Sequence, residues 1–104
     1  MSEYCMVLST TGSKEEAKKL AEKLLSEKLA ACVQLTNITS IYEWKNKINC
    51  DDEQLLLIKT KDSLYKKVEQ FISNNHSYEV PEIIKIPVKS GLTSYLNWID
   101  EICD

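Results

Sequence analysis

Residues 32–61 read CVQLTNITSIYEWKNKINCDDEQLLLIKTK, and the fold turns on how this stretch doubles back. Cys32 to Lys45 reads as extended chain, with Val33 and Leu35 on one parity and Ile38, Tyr42 and Trp44 on the other. One extra residue at Thr36-Asn37 would carry the apolar set to the opposite face, so a bulge or bend is expected there. Asn46-Lys47 has turn chemistry, because Asn tolerates positive φ. Ile48 to Lys61 then returns as a second extended segment ending in Leu55-Leu56-Leu57-Ile58. The expectation is one long β-hairpin.

Upstream, Tyr4 to Thr10 is a short apolar run suited to a strand buried on both faces. Ser13-Lys14-Glu15-Glu16 has the form of a capping box. Ala17, Leu20, Ala21, Leu24 and Lys28 follow at helical spacing, which predicts an amphipathic helix from Lys14 to about Lys28. Downstream, Asp62 can cap a second helix whose stripe is Leu64, Val68, Phe71 and Ile72, fraying at Asn74-Asn75. Glu82 to Val88 is strand-like, and Pro87 suits an edge or a strand end. Leu92, Tyr95, Leu96, Ile99 and Ile102 mark a third helix. The order β-α-β-β-α-β plus a terminal helix describes an α+β, ferredoxin-like sandwich with its helices on one face. One domain is expected to span residues 1–104, without linker or repeat.

Composition narrows the function classes. With 43% hydrophobic residues and only 2 Gly and 2 Pro, the chain can form a packed core. Its 13 cations are all Lys, against 16 acidic residues, for a net charge of −3. Arginine is the usual bidentate reader of phosphate and guanine, so its absence argues against a nucleic-acid partner. No apolar run approaches the roughly 18 residues that a membrane span needs, so no membrane is expected. The start lacks the features of a secretory signal, and Cys5, Cys32, Cys50 and Cys103 form no CxxC pair. Four reduced thiols in the cytoplasm are expected. No Ser–His–Asp, P-loop or HExxH arrangement occurs, so no enzyme activity is expected.

Each half of the hairpin, about 14 residues, would extend roughly 45 Å. A helix of about 15 residues covers only about 22 Å. Ile41, Tyr42, Trp44 and Ile48 would then lie on uncovered strands, a hazard that closed self-assembly removes. A homo-oligomer is expected.

The functional candidates cluster in His76–Glu82. His76 is the only histidine; it can ligate Cu or Zn through neutral imidazole, carry a proton near neutral pH, or simply terminate the second helix. Glu79 and Glu82 flank Val80-Pro81, where Pro81 favours an extended backbone that separates the two carboxylates. They can serve a metal or be solvated loop charge. Lys59, inside an apolar strand, calls for a carboxylate partner or an anionic ligand. Cys32 reads as a small apolar residue, a metal-ligating thiol or a redox switch. Trp44 and Tyr95 fill core and subunit interface, or line a ligand pocket.

The strings EKLAACV (27–33), SIYEWKNK (40–47), LIKT (57–60), HSYEVPEI (76–83) and YLNWI (95–99) resemble the CutA family of divalent-cation tolerance proteins. The likeness runs from about Met6 to Ile99 with the motifs in order. It implies a ferredoxin-like protomer, a homotrimer built through long strands, and a role in tolerance of copper and other divalent ions. It implies modest binding of a divalent cation such as Cu2+ or Zn2+, with His76, Glu79 and Glu82 as ligands, and no organic cofactor. The family's proposed copper arrangement has Cys and His where Ser9 and Asn75 stand here; only its Glu, at Glu82, is unchanged. Asn46 and Ser77 stand where Gly and Pro are usual. The trimer also resembles PII-type signalling proteins, which implies an alternative: a regulatory or scaffold trimer holding a small anionic ligand or protein partner between subunits.

Overall fold

A computed structural model describes residues 2–104. In chain order the elements are β1 (Tyr4–Thr11), α1 (Lys14–Ser26), β2 (Cys32–Trp44), β3 (Lys47–Lys61), α2 (Tyr65–Asn75), β4 (Ile83–Val88) and α3 (Thr93–Ile102). The four strands form one antiparallel sheet in the order β2-β3-β1-β4. This is the ferredoxin-like βαββαβ arrangement with an added C-terminal helix. Pro87 lies in β4, an edge strand, where a residue without an N–H is tolerated.

The helices form where the sequence spaces apolar residues at 3–4, and Ser13 starts the first by accepting from the Glu16 N–H at 3.1 Å. Glu16 does not close the expected capping box; its carboxylate turns to Ser77 instead. α1 stops at Ser26, two residues before the expected end, because the chain turns left-handed at Lys28 (φ 61°). Asp62 begins a 3-10 turn (Asp62–Leu64) rather than capping α2, and its carboxylate accepts from Lys85 Nζ at 2.9 Å.

Both α1 and α2 pack on one face of the sheet. Ala17, Leu20 and Leu24 from α1 and Val68 and Ile72 from α2 close over Cys5, Val7, Leu56 and Ile58. α3 builds a smaller cluster at one end, where Ile99 and Cys103 meet Ala31 and Leu64 beside Tyr4. The opposite face carries Met6, Leu8, Leu55, Leu57, Ile84 and Ile86, which alternate with the core set and lie outside the helix-covered cluster. Ile84 is 49% exposed and Ile86 38%.

β2 and β3 pair without interruption from Cys32↔Lys59 to Trp44↔Lys47. There is no bulge at Thr36-Asn37. The change of parity arises because Val33 and Leu35 face the helices while Ile38, Tyr42 and Trp44 face the open side. The turn is Lys45-Asn46, one residue earlier than expected, and both residues are left-handed (φ 53° and 64°), as a two-residue type I′ turn requires. β1 accompanies β3 only as far as Gln54, so residues 38–53 project as a two-stranded arm. Asn37 and Gln54 are hydrogen-bonded to each other where the arm leaves the sheet. The four cysteines are free: Cys5 and Cys103 buried, Cys32 half-buried, Cys50 exposed.

Candidate functional site

The segment from His76 to Glu82 connects α2 to β4 and crosses the end of β1. His76 is the residue at which α2 gives way to extended backbone (φ −99°, ψ 145°). Its side chain is 0% exposed. Nε2 lies 2.6 Å from the Thr10 carbonyl, and Nδ1 accepts the Tyr78 N–H at 3.0 Å. Accepting at Nδ1 requires a lone pair there, so the proton sits on Nε2 and is donated to Thr10. Both ring nitrogens are therefore engaged within the chain.

Glu16 supplies the second fastening. Its Oε2 and Oε1 accept from the Ser77 N–H (3.1 Å) and Ser77 Oγ (2.9 Å). Tyr78 supplies the third, crossing the chain at Gly12 and donating its hydroxyl to Glu53 Oε2 at 2.7 Å. A Cβ at Gly12 would stand 3.2 Å from that hydroxyl, so the bare glycine is what lets the tyrosine pass. Burial and the Glu53 carboxylate together push the Tyr78 phenol well above its ordinary range, which keeps it neutral.

Fastened in this way, residues 77–82 wall a groove of about 710 Å3 whose floor is the open face at the root of the arm. Thr10, Tyr42, Trp44 and Glu53 line it from the sheet, and Glu79 and Glu82 from the segment. Trp44 is 44% exposed. Tyr42 donates its hydroxyl to Asp51, which raises its pKa and fixes the ring. The groove's charged side chains are all carboxylates.

Of the residues expected to matter, Trp44, Glu79 and Glu82 thus come together, while His76 stands behind the wall as its anchor. Lys59 and Cys32 are register partners on the sheet's open side, away from the groove. Lys59 Nζ donates to the Gln34 side-chain oxygen at 2.6 Å, a neutral partner in place of the expected carboxylate. Tyr95 lies on α3, its ring centroid 5.6 Å from that of Trp98. Among the described residues, no three His, Cys, Asp or Glu side chains gather closely enough to hold a metal ion. Sequence reasoning missed Glu16, Tyr78 and Glu53, which hold the segment in place.

The profile of the CutA1 divalent ion tolerance protein family matches residues 5–102, nearly the whole chain. The chain belongs to the CutA1 family. It is 40% identical over 97 residues to the divalent-cation tolerance protein CutA of Thermus thermophilus, covering 92% of this chain and 94% of that one. It is 43% identical over 95 residues to the chloroplastic protein CutA of Arabidopsis thaliana, covering 90% of this chain and 52% of that protein. The chain therefore spans about half the length of the plant relatives it matches. The crystal structure of CutA1 from Oryza sativa superposes with a TM-score of 0.96 at 40% identity, over 99% of this chain and 95% of that one. The CutA from Archaeoglobus fulgidus superposes with a TM-score of 0.94 at 37% identity, over 95% and 97%. The CutA1 fold, long hairpin included, is this chain's fold. The family's description names ion tolerance and no reaction, and no catalytic role is assigned to any residue here.

Proposed function

We propose that this chain acts in divalent-cation tolerance as a homotrimer. The observation that carries the assembly is the open apolar face, where Met6, Leu8, Leu55, Leu57, Ile84 and Ile86 have no helix over them. On its other face the arm bears Ile41, 71% exposed, and Ile48, 81% exposed. Exposed apolar area of this extent on a small protein marks an association surface. The sheet also ends in two unpaired edges, β2 and β4, and a cyclic arrangement can close both without a growing filament. Three copies is the number that the family resemblance implies. A divalent ion would be taken modestly, through the exposed carboxylates of Glu79 and Glu82 and with part of its water shell kept. His76 serves by holding those carboxylates in place.

Native mass spectrometry of the protein as isolated tests the assembly, with three chain masses expected. A monomer at micromolar concentration overturns it. Calorimetric titration with Cu2+ tests the ion, with binding lost in Glu79→Gln/Glu82→Gln.

A second reading, a carrier or regulator holding a small ligand beside the subunit contact, is favoured by the groove itself. Its carboxylates reverse the sign of the ligand expected from Lys59.

A further inference from the structure

We propose that α3 of one copy lies along the helix-side face of the next copy's arm, with Leu92 against Ile41 and the helix N-terminus toward Asp52. This rests on the reading of the chain as a homotrimer and says which surfaces meet in it.

The arm carries the sheet beyond its own helices. Val33 and Leu35 face α1 and α2, and the same parity continues to Ile41, with Cys50 and Ile48 on that face across the hairpin. Among the described residues, Ile48, Leu92 and Ile41 are the most exposed large apolar side chains. Leu92 opens a second uncovered stripe. Tyr95 and Trp98 follow it at helical spacing, their ring centroids 5.6 Å apart, while Ile99 and Cys103 turn inward.

One chain cannot join its own two surfaces. α3 packs beside Tyr4, at the end of the sheet where Tyr4 pairs with Lys61, and the arm leaves from the other end, beyond Gln54. A second copy supplies the missing helix. Because the contact joins unlike surfaces, it passes from copy to copy and closes as a ring.

Length and charge set the direction. The ten residues of α3 span about 15 Å. From Asp52, level with Thr39, to Lys45 at the turn, the arm runs about 20 Å, and side chains span the difference. No side chain caps the first turn of α3, and that turn holds no acidic residue. Asp52 is exposed on the helix-side face and suits those free N–H groups and the positive end of the helix dipole. At the other end, exposed Glu101 comes level with Lys45 and Lys47 at the tip. Glu43, on the same face of the arm, then lies beside the uncharged stretch from Tyr95 to Trp98. The reverse orientation would set Asp52 against Glu101 and the lysines against the helix N-terminus.

The native Cys50 makes the test direct, since it is free, exposed and paired in register with Ile41. Leu92→Cys would place a thiol of one copy against Cys50 of the next. Mild oxidation should then give disulfide-linked dimers and trimers on a non-reducing gel, with none in Leu92→Cys/Cys50→Ser. Glu101→Cys should link far more slowly, because about 14 Å of helix separates it from Leu92. Asp52→Asn should slow the Leu92→Cys link about two- to fivefold. Linking by Glu101→Cys in place of Leu92→Cys, or an unchanged rate in Asp52→Asn, would overturn the orientation proposed. No link from either cysteine, in a protein that native mass spectrometry shows as a trimer, would overturn the contact alone. A monomer in that measurement would overturn the assembly and the contact with it.

Discussion

His76 donates from Nε2 to the main-chain carbonyl of Thr10 across 2.6 Å, and this bond sets where the acid-rich segment lies against the sheet. Replacing the ring leaves a buried carbonyl without its donor and opens space beneath the segment. His76→Ala should therefore cost about 2–4 kcal/mol of stability. Urea denaturation measures it, and a loss below about 0.5 kcal/mol would mean that Glu16 and Tyr78 suffice to hold the segment.

The open face predicts a dissociating variant. Ile84→Lys places a cation at a half-exposed position of β4 that assembly would bury. Sedimentation velocity should show the proposed trimer replaced by monomer. A persisting trimer would place the contact elsewhere.

The turn of the hairpin can be improved. Lys45 and Asn46 both adopt positive φ, which costs an L residue other than Gly or Asn roughly 1 kcal/mol. Lys45→Asn with Asn46→Gly gives the Asn-Gly pair that suits a type I′ turn. Thermal denaturation should show stabilisation of about 0.5–1 kcal/mol. Destabilisation would mean that the Lys45 side chain itself supports the turn.

Ser9 sits wholly buried in β1, and its hydroxyl has no hydrogen-bond partner among the described residues. Ser9→Ala removes that unpaired group while leaving the packing almost intact. Stability should stay level or rise by about 1 kcal/mol, since the native hydroxyl was desolvated without return. A loss of more than about 1 kcal/mol would point to a partner for the hydroxyl in the assembled protein.

Alkaline pH should weaken the fold through Cys5. Burial raises its thiol from 9.0 to about 11. Between those values the unfolded chain has released a proton that the folded chain still holds, so stability falls as pH rises. It is full below pH 9 and is lost progressively toward about pH 11. Urea midpoints across that window should drop, and Cys5→Ala should reduce the drop between pH 9 and 10, leaving the share of Cys103, whose thiol burial also raises. Above pH 10 the raised phenols add to the loss, among them Tyr65, which burial lifts to about 12.

How much of this was legible in the sequence depends on how local each cause is. Ser13 capping α1 is written within four residues, and the structure has it. The alternation of Leu55 to Ile58 and the apolar stripes of the helices give the layers. The parity change after Leu35 was visible too, but its cause was not. A sequence records which residues are apolar and not what covers them, so an uncovered face looked like a bulge. His76–Glu82 stood out as a string, yet its roles rest on partners far along the chain. Thr10 lies 66 residues from His76, and Glu53 lies 25 from Tyr78. No local pattern encodes those meetings.

The unbroken ladder from Cys32↔Lys59 to Trp44↔Lys47 also bears on the order in which the molecule is built. A two-residue turn brings its first rungs together at almost no loop cost, and hairpins of this kind form within microseconds. A ribosome adds roughly 5–20 residues per second, so residues 32–61 can zip up well before Ile83–Val88 has been synthesised. For that interval the edge of β1 that β4 will pair stays open, with Met6 and Leu8 along it. The edge that β4 later closes is thus, for about a second or more, the part of the chain most in need of protection from strangers.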